Sequence, residues 1–133
     1  MTEKDKQKIA GITKSHNIAL MALFGSYATG HTHKKSDVDL GYASKHEIDF
    51  REQSEMSEEL ARVFKNPDIE LVNIYNVAPD FKKQIADTGI LLYEAKNSLF
   101  ELFKIHANRT YIETKPLRVY RDARLKNFIQ KYA

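Results

Sequence analysis

A run of seven apolar residues, Ile18–Phe24, stops at Gly25-Ser26, and beyond a polar stretch the chain resumes with Ser36-Asp37-Val38-Asp39-Leu40. A short apolar block ended by glycine reads as a buried strand leading into a tight turn. Gly25 permits that turn, and the close approach of a ligand, because it carries no side chain. Ser26 then falls at the start of a short helix, where free backbone N–H groups and a hydroxyl favour phosphate. Residues 31–35, His-Thr-His-Lys-Lys, are too polar for core and read as a loop. Asp37 to Ala43 alternates in strand fashion after it.

Side chains two apart share one face of a strand, so Asp37 and Asp39 project together while Val38 and Leu40 turn into apolar packing. Two carboxylates this close repel each other and raise one pKa unless a cation neutralises them. Carboxylate oxygens completed by substrate phosphates and water are the ligands Mg²⁺ prefers. A third acid is expected on a neighbouring strand, and the run Asp68 to Ile74 supplies candidates. Glu70 shares a face with Asp68 and Val72, and is preferred because Asp68 stands at the strand entrance beside Pro67. The candidate site is therefore Gly25 and Ser26 for a phosphate tail, with Asp37, Asp39 and Glu70 as metal-holding, catalytic carboxylates.

This order of motifs resembles the DNA polymerase beta-like nucleotidyltransferase superfamily. Within it the chain looks like a minimal nucleotidyltransferase, the MNT or MntA-type antitoxin commonly encoded beside a HEPN-domain toxin. The resemblance runs from about Ile18 to Tyr93 and includes Glu70-Leu71-Val72-Asn73-Ile74, Ala78-Pro79 and Gly89-Ile90-Leu91-Leu92-Tyr93. It implies an α+β fold: a mixed β-sheet with helices packed against it and two C-terminal helices. It also implies one or two Mg²⁺ ions, ATP as donor, and transfer of AMP to a tyrosine of a cognate HEPN ribonuclease toxin, which is thereby neutralised. Family members often carry an arginine just before the second glycine of the first motif, where this chain has Thr29. His31, Lys34 or Lys35 are the nearby cations able to replace that charge. The third acid is often aspartate, and here it is Glu70. Two alternatives stay open: an antitoxin that neutralises its toxin by contact alone, and a small-molecule enzyme of the aminoglycoside-modifying kind.

At 133 residues the chain fits one domain, 1–133, with a core over about 18–93 and C-terminal helices over about 97–132. A formal charge of +3 is too small, unless clustered, to imply direct nucleic-acid binding. With no cysteine, disulfides and thiolate metal sites are excluded. The N-terminal segment lacks the apolar run of a signal peptide, and no stretch is long enough to span a membrane, so a cytoplasmic protein is expected. Patterning predicts helices from Thr2 to about Lys14, from Glu47 to Lys65, from Pro79 to Gly89, and over about 97–113 and 116–132.

Four features invite other readings. Gly25 to Thr32 approaches a P-loop but has His31 in place of the lysine, and is followed by polar rather than helical sequence. His31 and His33 lie close together without a third zinc ligand at suitable spacing. His106 falls on an apolar helix stripe and reads as a satisfied, partly buried histidine. In the last helix Leu125, Phe128, Ile129 and Tyr132 form an apolar face that Arg121 and Arg124 extend. That arrangement fits either snorkelling arginine stems or a partner surface.

Overall fold

The computed structural model describes residues 1–30 and 36–132. In chain order the elements are α1 (Glu3–Ser15), β1 (Ile18–Phe24), α2 (Ser26–Thr29), β2 (Val38–Ser44), α3 (Phe50–Phe64), β3 (Ile69–Asn73), α4 (Pro79–Thr88), β4 (Ile90–Glu94), α5 (Leu99–Glu113) and α6 (Lys115–Tyr132). Local chemistry sets most of the boundaries. Thr2 and Asp5 cap α1 reciprocally, each side chain accepting the other's backbone N–H at 3.1–3.2 Å. α3 starts at Phe50, later than the expected Glu47, because Asp49 captures the Glu52 N–H at 2.8 Å as its N-cap. Pro79 opens α4, and α5 waits until Leu99 because the Glu94 carboxylate accepts the Ser98 and Phe100 N–H groups.

Among the described residues the strands form one mixed sheet in the order β3-β2-β1-β4. β1 pairs antiparallel with β2 and β4, and β2 pairs parallel with β3. Helices cover both faces. On one, Ile9 of α1 and Met56 and Leu60 of α3 pack on Met21, Val38, Leu40 and Leu71. On the other, Ile85 and Ala86 of α4 and Phe100, Phe103 and Ala107 of α5 pack on Leu20, Ala22 and Phe24. β1 is central and covered on both sides, which explains its unbroken apolar sequence. Among the described residues no helix is long and apolar enough to cross a membrane.

His16, just past α1, ties that helix to α3. Its Nε2 lies 2.9 Å from Glu59 and its Nδ1 3.5 Å from Glu52, whose other oxygen is 3.1 Å from His46 Nε2. Only the imidazolium donates from both nitrogens at once. Burial disfavours that charge, but the Glu59 and Glu52 carboxylates outweigh it and hold the His16 pKa above its ordinary value. The resulting stability is fully present below about pH 6.5, the unfolded value, and is lost as pH rises through the higher folded value. His16→Gln should melt a few degrees lower than wild type at pH 5.5, and the gap should shrink by pH 8.5. A gap that widens with pH contradicts this account.

Candidate active site

The turn after β1 and the start of β2 meet at one end of the sheet. Phe24 is the register partner of Asp39 across the β1–β2 ladder, and Asp39 is the register partner of Glu70 across the β2–β3 ladder. Val38 and Leu40 point into the α1/α3 core with no exposed surface, so Asp39 faces the α4/α5 side, as do Phe24 and Val72. Neither α4 nor α5 covers the acids there: Glu70 is exposed and Asp39 only partly buried. Gly25 adopts a left-handed φ of +71°, and a Cβ built on it would collide with the Asp39 carboxylate. The glycine is therefore required twice, once for its backbone and once for the space it leaves.

The carboxylates interact as their spacing predicts. Asp39 is pushed up to about 6 by partial burial first, then by a hydrogen bond and repulsion from Glu70, then by repulsion from Asp37. The Asp39 carboxylate is thus held among like charges, the situation a divalent cation relieves. The donor set and its charge fit Mg²⁺. Asp37 stands apart from the other two. It is exposed, precedes the first residue of β2, and acts on Asp39 only through space. Consistently, among the described residues no three acidic or histidine side chains are gathered closely enough to form a complete metal cage. A site of this type leaves the remaining positions to substrate phosphates and water.

Ser26 begins α2, which spans only four residues and ends at Gly30 in a left-handed conformation. A P-loop opens a long helix past its second glycine, whereas here β2 already begins at Val38. The Thr29 hydroxyl turns back onto the carbonyls of Gly25 and Ser26 at 3.3 and 3.4 Å. The cations considered as substitutes for an arginine there, His31, Lys34 and Lys35, lie outside the described residues, as does the His31–His33 pair.

Two side chains contribute in ways the sequence does not signal. Asn66 donates from Nδ2 to the Tyr27 hydroxyl at 3.1 Å and to the Ser36 carbonyl at 2.8 Å. It thereby ties α2 to the residue preceding Asp37. Lys82 is buried, with Nζ 2.9 Å from His106 Nε2. Burial first, then Lys82 and Arg109, push the His106 pKa down, so it stays neutral and accepts the hydrogen bond. The reading of His106 as a satisfied, partly buried residue agrees with this contact.

A central strand feeding a glycine turn against paired acids defines a nucleotidyltransferase domain. Residues 7–98 match the family model "Polymerase beta, Nucleotidyltransferase", and the chain belongs to that family. No curated protein matches the chain. Several solved structures share the fold. One is a toxin–antitoxin complex with AMP-PNP, at 24% identity and a TM-score of 0.75 over 93% of this chain and 98% of that one. A second is a tri-AMPylated HEPN toxin from Shewanella oneidensis in complex with an MNT antitoxin, at 21% identity and a TM-score of 0.71 over 97% and 99%. A third is the MntA–HepT toxin–antitoxin, at 20% identity and a TM-score of 0.70 over 96% and 99%.

Proposed function

We propose that this chain is a cytoplasmic Mg²⁺-dependent protein adenylyltransferase, an antitoxin that transfers AMP from ATP to a tyrosine of a cognate HEPN ribonuclease toxin and so silences it. The observation that carries this reading is Asp39, wedged between the Gly25 turn and an exposed Glu70 at the edge of β2 and β3. An AMP-PNP complex and an AMPylated toxin among the structures of the same fold support the choice of donor and acceptor. Gly25 and Ser26 receive the triphosphate tail at the start of α2. Asp37, Asp39 and Glu70 hold one or two Mg²⁺ ions, which when bound neutralise charge on the phosphates and orient the reacting oxygens. The acceptor hydroxyl attacks the α-phosphorus, the bond to pyrophosphate breaks, and Glu70 takes the hydroxyl proton.

A second reading has its own observation. The Thr29 hydroxyl is turned onto the backbone and brings no charge to the phosphate turn, which suits an antitoxin with a weakened site that acts by binding. Incubation with ATP labelled at the α-phosphate, Mg²⁺ and a cognate HEPN protein separates the two. Label on a toxin tyrosine, with ribonuclease activity lost in step, is expected. Toxin silenced without label makes the chain a binding antitoxin. Label appearing instead on small hydroxylated acceptors, with none on protein, makes it a small-molecule enzyme.

A further inference from the structure

α6 has no core. Its 18 residues include no buried one, although Leu117, Leu125, Phe128 and Tyr132 follow one another at helical spacing along one stripe. These four side chains are 54–67% exposed, and Ile129 beside them is 53% exposed. At about 1.5 Å per residue the helix extends roughly 27 Å from the end of α5. A helix of this length gains most of its stability from packing an apolar face, which α6 does not do within its own chain.

Its attachment is nonetheless built. Thr114 joins α5 to α6 with near-helical backbone, φ −93° and ψ 0°, and its carbonyl accepts the Arg118 N–H at 3.1 Å. The Arg118 guanidinium folds back over the Tyr111 ring at 3.7 Å and donates to the Tyr111 carbonyl and the Thr114 hydroxyl, both at 2.6 Å. The junction therefore fixes the direction of the arm, which lowers the entropy lost when something closes around it.

Charge and shape select the occupant. Lys115, Arg118, Arg121, Arg124, Lys126 and Lys131 face a single acid, Asp122, within the helix. A second copy of α6 would bring like charges together, which disfavours self-pairing. A membrane surface accepts one apolar side, whereas Val119 projects from the side opposite the stripe and is also exposed. We propose that α6 is a docking arm for a partner protein that closes around it with an apolar groove edged by carboxylates. The assignment rests on the partner-protein reading above and names the element by which the toxin is held.

The test titrates a cognate HEPN protein into the full chain and three variants: Leu125→Glu/Phe128→Glu, Arg121→Glu/Arg124→Glu, and Asp39→Asn. Binding should weaken by about a hundredfold for the first and about tenfold for the second. Asp39→Asn should bind as wild type, and all the variants should remain folded by circular dichroism. In the transfer assay the two α6 variants should raise KM for the toxin and leave kcat unchanged. Wild-type affinity in both α6 variants, or no binding by wild type, overturns the docking assignment. So does light scattering that shows a wild-type dimer which the α6 variants break, or α6-dependent binding to anionic vesicles. A complex that depends on α6 but transfers no label leaves the arm standing and removes the adenylyl-transfer reading.

Discussion

Asp39→Asn should lower adenylyl transfer by a thousandfold or more and at the same time raise the melting temperature at pH 7. The first effect follows from the position of Asp39, in contact with Glu70 and facing the Gly25 turn where the phosphates enter. Stabilising transition-state charge at a phosphoryl centre is worth several kcal/mol, and about 1.4 kcal/mol is a factor of ten. The second effect follows from repulsion. Partial burial, Glu70 and Asp37 together push Asp39 up to about 6. An acid whose folded pKa lies above its unfolded value destabilises the fold once pH passes the folded value, and adds nothing below the unfolded one. Asparagine removes that penalty. The gain in melting temperature, measured in EDTA, should therefore be present at pH 7 and vanish by about pH 4. An inactive variant that is also less stable at pH 7 would indicate a structural role for Asp39 instead.

The features legible in the sequence are those carried by short-range periodicity. β1 announces itself because a central strand covered on both faces has no polar position to interrupt it. The opposed facing of Val38 and Asp39 is a consequence of strand alternation, and the choice of Glu70 over Asp68 agrees with the parallel register that sets Glu70 beside Asp39. What was not legible depends on tertiary register or on neighbours far along the chain. The start of β2 is one such feature: the strand begins at Val38, so Asp37, read together with Asp39 as part of it, lies just before the strand, near enough to repel the Asp39 carboxylate. The bracing of α2 by Asn66 spans 39 residues to Tyr27 and has no local signature. α6 shows the same limit from another direction. Its apolar residues predict a buried face, and nothing in a single chain's pattern says whether the covering surface belongs to the same molecule.

Gly25→Ala should cost both stability and activity, and comparison with Gly30→Ala separates the two causes. Both glycines have positive φ, +71° and +79°. Gly30, with ψ 8°, is left-handed helical, where alanine costs about 1–2 kcal/mol. Gly25, with ψ −153°, sits in a region open essentially to glycine alone. They also differ in space. A Cβ at Gly30 meets nothing within 4 Å, whereas one at Gly25 runs into the Asp39 carboxylate and lies close to its Cβ. Gly30→Ala is therefore expected to lower the melting temperature by several degrees and to keep a substantial share of adenylyl transfer. Gly25→Ala adds a collision that only movement of Asp39 or of the α2 turn relieves, and either movement separates the acid from the phosphate-binding backbone. Transfer should fall at least about a hundredfold, since displacement of a reacting group by about 1 Å is enough for a loss of that size. Gly25→Ala should melt lower than Gly30→Ala, because its backbone conformation excludes a side chain more strictly and the added Cβ meets the Asp39 carboxylate. Equal retention of activity in both would mean that the Gly25 turn and Asp39 do not work as one site.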